Sequence, residues 1–64
     1  DLENIEEALK RISAPYQTVL VLHYVEDLPV KEIALILELP LGTVKTRLHR
    51  ARKALRRVMS THEN

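Results

Sequence analysis

The chain has 64 residues, a formal net charge of +1, 45% hydrophobic residues and no cysteine, which limits it to one small domain and excludes disulfides and thiolate metal sites. Its charge is unevenly divided: residues 1–42 carry three Lys or Arg and eight Asp or Glu, whereas residues 43–64 carry seven and one. This asymmetry favours a polyanionic partner for the C-terminal part, although a solvated basic helix face would have the same composition.

The first part of the chain predicts two helices. Apolar residues recur at helical spacing over residues 2–13, which predicts a first helix there. Pro15 is suited to the first turn of a second helix, over residues 15–25. The β-branched residues within 18–25 would also suit a strand, but the chain offers no partner strand, so a helix is preferred.

The remaining part predicts a helix, a short break and a second helix. A third helix is expected over residues 30–37, a break at 38–40 and a fourth helix over 41–58, with a disordered tail at 61–64. Small Ala34 would let the last two helices cross closely, which is the geometry of a helix-turn-helix whose second helix enters the DNA major groove. The apolar stripe of the fourth helix is formed by Val44, Leu48, Ala51 and Leu55.

The outward face of the fourth helix carries basic and hydrogen-bonding side chains and no acidic one, as a helix lying between two phosphate backbones requires. Arg50 and Thr46 lie one turn apart on this face and are the best candidates to contact base edges. Lys45, Arg47 and Arg52 point sideways and suit phosphates. The candidate DNA-binding residues are Gly42, Thr43, Lys45, Thr46, Arg47, His49, Arg50, Arg52 and Lys53.

These segments resemble the C-terminal domain, conserved region 4, of bacterial extracytoplasmic-function sigma factors. The resemblance rests on residues 30–34 (Val-Lys-Glu-Ile-Ala) and 39–56, and residues 15–20 and 24–28 match the preceding helices of that domain. DNA-binding output domains of the LuxR type share the Lys-Glu-Ile-Ala and Thr-Val-Lys pieces and are the alternative. The order Arg-Leu-His-Arg-Ala-Arg at residues 47–52 follows the sigma pattern.

The resemblance implies an all-α, four-helix domain over residues 1–60 that recognises the minus-35 promoter element within RNA polymerase holoenzyme. It also implies docking of the N-terminal helices on the β flap of the polymerase and masking by an anti-sigma factor. The protein would then be a bacterial cytoplasmic one, a monomer and not an enzyme, with no cofactor. The DNA-facing positions of the family correspond to Lys45, Thr46, Arg47, His49, Arg50 and Arg52.

Other function classes are less favoured by the residues. The three histidines form no i, i+4 pair and no cysteine is present, so no metal site is expected. The fourth helix lacks the large aromatic anchors of helices that lie on membranes. A module that only docks on the polymerase or on an anti-sigma factor, with weak DNA affinity of its own, stays open. We also expect the chain to be a fragment of a longer protein, since it does not begin with Met.

Overall fold

A computed structural model of the chain describes the backbone of residues 2–62 and the side chains of residues 5–60. This part of the chain contains helices and no strand, so the predicted all-α, four-helix fold is confirmed. The elements are α1 (Leu2–Lys10), α2 (Ala14–Leu20), a π-helical turn that continues α2 (Val21–Val25), α3 (Val30–Leu37) and α4 (Leu41–His62).

Helix α1 ends three residues before Ser13, the predicted end. The N–H groups of Arg11 and Ile12 donate to the carbonyls of Ala8 and Leu9, at 3.0 and 3.3 Å, three residues back rather than four. Such bonds tighten the end of a helix into a turn. Ser13 then adopts an extended conformation (φ −62°, ψ 153°) as the residue that precedes α2.

The second helix forms where it is predicted, but its last five residues are wound as a π-helical turn. The N–H of Glu26 donates to the carbonyl of Val21, five residues earlier, at 3.0 Å. The alternative interpretation of residues 18–25 as a strand is therefore wrong. Below this turn, Nδ1 of His23 lies 2.8 Å from the carbonyl oxygen of Leu28. Because a carbonyl oxygen only accepts hydrogen bonds, Nδ1 carries a proton and His23 ties the loop to the helix.

Helix α3 has the predicted bounds, and its end is closed by a residue in the left-handed conformation. Glu38 has φ 56° and ψ 48°, and the N–H of Leu39 donates to the carbonyl of Ala34 at 3.0 Å. This is the hydrogen bond of a Schellman motif, in which the left-handed position is usually glycine because a Cβ is strained there. The break between α3 and α4 thus contains a glutamate whose backbone conformation is strained.

We expect Glu38→Gly to raise the free energy of unfolding by about 0.5–1 kcal/mol. Relief of the left-handed strain contributes about 1–2 kcal/mol, and the greater freedom of glycine in the unfolded chain offsets roughly 0.4–1 kcal/mol of it. Urea unfolding followed by circular dichroism measures the change. Glu32→Gly, in the right-handed first turn of the same helix, is the control and should lower stability by about 0.5–1 kcal/mol. Equal destabilisation by both substitutions would contradict the strain.

Helix α4 extends to His62, four residues past the predicted end at 58. Val58 and Met59 are half-buried, so packing continues along the helix where local sequence favours fraying. Thr61 is helical as well, although it falls in the predicted tail. Residues 63–64 of that tail lie outside the described residues, and the domain boundary at residue 60 stays a prediction.

The core lies where α2, α3 and α4 meet. The predicted stripe of α4 is confirmed, since Val44, Leu48 and Ala51 are buried and Leu55 is half-buried. The stripe therefore holds α4 against the other helices by its inner face and leaves the rest of its circumference outward. The buried residues of this cluster are Val19, Leu20, Ile33, Val44, Leu48 and Ala51.

Candidate nucleic-acid interface

All nine residues that the sequence analysis selected lie on α4, and the structure leaves them accessible. Eight are exposed, and Arg47 is half-buried. The helix keeps them outward because the buried stripe fixes its rotation about its own axis. Accessibility does not distinguish these nine residues from one another. The surroundings of each residue, however, divide the nine into three groups.

Five of the nine residues line one concave surface, which we call the polar cleft. It has a volume of about 770 Å³ and lies between the first half of α4 and the start of α2. Arg50 and Thr46, the predicted base readers, share it with residues predicted to contact phosphates. The lining residues are Ser13, Pro15, Tyr16, Pro40, Gly42, Thr43, Thr46, Arg47 and Arg50.

The N-terminus of α4 opens onto the polar cleft. The N–H groups of Thr43 and Val44 both donate to the carbonyl of Pro40, at 3.0 and 3.2 Å. The N–H groups of Leu41 and Gly42 precede any carbonyl of their own helix, and Pro40 has no polar side-chain atom to cap them. The first turn of α4 thus presents the positive end of the helix dipole to the cleft.

Gly42 places no side chain on that first turn, and the fold itself does not require a glycine there. Its φ is not positive, and a Cβ built at this position would have no heavy atom within 4 Å. Glycine inside a helix costs about 0.5–1 kcal/mol relative to alanine. A residue that lowers stability without a steric need inside the chain is consistent with the close approach of an external group.

Arg47 stands at the edge of the polar cleft with its stem against apolar side chains. It also lines an adjacent recess together with Leu37, the last residue of α3, and Leu39, which lies within the helix-turn-helix break. Long cationic side chains commonly bury their methylene groups while the charged end stays in water. The half-burial of Arg47 is consistent with a methylene stem packed beside these side chains and a charged end in water.

A second group of selected residues lies away from the polar cleft. Lys45 and His49 are exposed, one turn apart, on the opposite edge of α4 from Arg47. Arg52 follows on that side, and its Nε donates to the hydroxyl of Tyr24 at 2.5 Å. Its guanidinium carbon is 5.7 Å from the centre of the Tyr24 ring, near the outer limit for a cation–π contact, so the hydrogen bond is the main interaction.

Lys53 belongs to a third place, a smaller concavity of about 240 Å³ that we call the basic cleft. It continues the polar cleft along α4, because Tyr16 and Arg50 line both. The lining residues of the basic cleft are Tyr16, Arg50, Lys53, Ala54 and Arg57.

The start of α2 and Arg57 are the parts of these clefts that sequence reasoning missed. Tyr16 packs on the buried cluster from the edge of the core, and it also borders both clefts. No local spacing signals this second role, because the contact joins α2 to α4. Arg57 is an exposed residue of α4 at helical spacing from Arg50 and Lys53, but it is not among the nine candidate residues.

A groove of about 420 Å³, lined mainly by apolar side chains, lies on the opposite side of α4, and we call it the apolar groove. Two of its residues, Tyr24 and Val25, are 57% and 67% exposed at the end of the π-helical turn. Such a surface is typical of contact with another protein rather than with a polyanion. The lining residues are Ile5, Leu9, Leu20, Tyr24, Val25, Arg52, Leu55, Arg56 and Met59.

The charge of α4 also differs from that of the rest of the chain. Between Glu38 and Glu63 the sequence has no Asp or Glu, while it has seven Lys or Arg. An exposed ion pair between Lys10 and Glu7, at 3.9 Å, lies on α1. The part of α4 that lines both clefts therefore carries basic residues and no acidic one, a composition that attracts polyanions.

Two further observations concern other kinds of site. Among the side chains of residues 5–60, no three His, Asp or Glu come close enough together to hold a metal ion. None of the helices described between residues 2 and 62 has the length and the apolar composition needed to cross a membrane.

Comparison with known protein families gives a match over most of the chain. The sequence model described as "Sigma-70, region 4" matches residues 2–55. These residues include α1, α2, α3 and α4 as far as Leu55.

Two curated proteins of Bacillus subtilis (strain 168) are similar to the chain over 53 residues, or 83% of its length. The ECF RNA polymerase sigma factor SigW is 47% identical, and the match covers 28% of that protein. The RNA polymerase sigma factor SigV is 43% identical, and the match covers 32% of it. The chain thus spans less than a third of the length of either relative.

Proposed function

Because the chain belongs to the sigma-70 region 4 family, we propose that it recognises the minus-35 element of bacterial promoters, as the C-terminal domain of an extracytoplasmic-function sigma factor. The observation that carries this proposal is the polar cleft. It joins a helix N-terminus, an arginine and a threonine on one concave, acid-free surface of α4. Region 4 is a DNA-binding regulatory domain, so the proposed activity is recognition rather than catalysis.

Within this proposal the residues of α4 divide the work. Arg50 and Thr46 contact base edges, the arginine through two parallel hydrogen bonds to guanine and the threonine through its hydroxyl or methyl group. Gly42 and Thr43 hold a phosphate at the helix N-terminus, as anions bind at such sites. The remaining residues proposed to contact the DNA are Lys45, Arg47, His49, Arg52 and Lys53.

The positions of these residues support the assignment unequally. Arg47 at the rim of the polar cleft suits the phosphate backbone. Lys45 and His49 suit the far side of the groove, since they are exposed on the opposite edge of the helix. Arg52 would have to leave the hydroxyl of Tyr24 to bind a phosphate, so its contribution should be the smallest of the set.

RNA polymerase is the second partner that we propose, in the cytoplasm. The apolar groove, with the exposed side chains of Tyr24 and Val25, supports docking on the β flap. An anti-sigma factor that covers the same groove or the polar cleft would then mask the domain. Because the groove and the clefts lie on opposite sides of α4, a monomer could hold the polymerase and the DNA at once.

A titration of this chain against a library of duplexes tests the proposed function. Binding should prefer some sequences over others and should weaken steeply between 50 and 200 mM salt, because binding releases cations condensed on the phosphates and this release is less favourable at higher salt. A second arm adds the isolated polymerase flap. Flap binding with no sequence preference among the duplexes would contradict promoter recognition and would leave a protein-docking module.

A further inference from the structure

The hydrogen bond between Arg52 and Tyr24 links the two sides of α4 to which different partners are proposed to bind. Arg52 is one of the residues proposed to contact DNA, yet it also lines the apolar groove together with Tyr24. Its Nε donates to the hydroxyl of Tyr24, at 2.5 Å. The guanidinium of Arg52 in the free chain is therefore directed towards the π-helical turn.

Contacts within the π-helical turn hold Tyr24 in this position, although more than half of its side chain is exposed. Its ring meets the ring of His23 edge to face, with the two centres 4.7 Å apart and the planes at 76°, an arrangement that aromatic rings prefer. The ring of His23 is fixed in turn by the hydrogen bond between its Nδ1 and the carbonyl oxygen of Leu28. The hydroxyl of Tyr24 is thus a preorganised acceptor for Arg52, and the exposure of both side chains leaves their contact reversible.

Tyr24 and a DNA phosphate would compete for the same guanidinium. Arg52 follows Lys45 by seven residues, which is about two helical turns, so both side chains leave the same edge of α4. The sequence has no acidic residue between 39 and 62, so no carboxylate of α4 takes part in this competition. A phosphate offers a negative charge and two oxygens to the planar guanidinium, whereas the hydroxyl offers one neutral oxygen. The hydroxyl therefore lowers the availability of Arg52 to DNA without abolishing it.

We propose that Tyr24 is an autoinhibitory residue, whose hydroxyl holds Arg52 on the side of the apolar groove and so limits the affinity of the free chain for DNA. The proposal rests on the proposed function and adds a means of regulating it. Tyr24 acts through Arg52, as a positioning residue, and does not contact the DNA itself. Since both side chains line the apolar groove, a protein seated there contacts the hydrogen bond that limits DNA binding.

The test removes the hydroxyl of Tyr24 and keeps its ring. Tyr24→Phe, Arg52→Gln and the double variant are titrated with a preferred and a non-preferred duplex from 50 to 200 mM salt, after circular dichroism has shown equal helicity. At 50 mM salt Tyr24→Phe should bind both duplexes about 2- to 10-fold more tightly than the unsubstituted chain, because no internal hydrogen bond has to be broken. The salt slope should steepen by up to about 0.9, since one more cation is available to a phosphate.

The double variant is the control. It should bind as Arg52→Gln does, because no guanidinium is left for the hydroxyl to hold. The proposal would be overturned if Tyr24→Phe bound no more tightly than the unsubstituted chain, or if it raised affinity equally in the Arg52→Gln background. An unsubstituted chain without sequence preference would contradict promoter recognition alone, since a phosphate contact carries no base information and the comparison of variants still holds. A chain that binds neither duplex would overturn both proposals.

Discussion

Arg50→Ala is expected to weaken binding to the preferred duplex by about 1–3 kcal/mol, roughly 5- to 150-fold, and to remove the preference at one base position. The reason is geometric, since Arg50 lies in the polar cleft one turn from Thr46 and its guanidinium can form two parallel hydrogen bonds to guanine. The measurement is a titration against duplexes that carry every single base-pair change in the preferred site.

Two further variants separate base contact from charge. Arg50→Lys keeps the positive charge but replaces the planar fork by a point charge, so the salt slope should stay while the base preference falls. Lys45→Ala removes a charge from the edge of α4 and should weaken binding to all sequences equally, reducing the slope by about one unit. A sequence preference that survives Arg50→Ala unchanged would show that another residue contacts the base.

Leu48→Ala is expected to lower the free energy of unfolding by about 2–5 kcal/mol, because it removes three carbons from a fully packed site. Leu48 is 1% exposed and belongs to the cluster that joins α2, α3 and α4. A chain of this length has a total stability of about 3–10 kcal/mol. The substitution should therefore remove a large fraction of the total stability and lower the urea midpoint strongly.

Leu35→Ala is the matched control for this prediction. It makes the same chemical change in a helix of the same motif, but Leu35 is 78% exposed, so the effect should lie within about 0.5 kcal/mol. Urea unfolding of the two variants, followed by circular dichroism at 222 nm as the usual helix signal, gives both values. Similar losses for the two variants would mean that Leu48 is not a core residue in solution.

The parts of the fold that could be predicted are those that local sequence determines. The stripe Val44, Leu48 and Ala51 repeats at the period of a helix, and Pro29 and Pro40 mark where α3 and α4 begin, so the helix-turn-helix was placed correctly. The length of α4 was underestimated because its last turns are held by packing against other helices, which spacing does not report. The π-helical turn has no sequence signal, since its residues would suit an α-helix equally well.

The sequence predicted which side of α4 points outward, but it did not predict the clefts that this side forms with other parts of the chain. A helical wheel identifies which positions of α4 point outward, and all nine selected residues do so. It cannot tell which outward positions meet α2 and which meet the π-helical turn. The hydrogen bond between Arg52 and Tyr24 joins residues 28 apart in the sequence, and the two clefts depend on Tyr16. These features arise only when the helices pack.

The absence of acidic residues from α4 also bears on how the free chain responds to ionic strength. Pairs such as Arg52 and Arg56, or Lys53 and Arg57, stand one turn apart, and each like-charged pair destabilises a helix by about 0.2–0.5 kcal/mol. Dissolved ions screen this self-repulsion, so added salt stabilises the unbound helix while it weakens the attraction to a polyanion. Added salt therefore acts in opposite directions on these two interactions: it reduces the repulsion within α4 of the free chain, and it weakens the attraction between α4 and a polyanion.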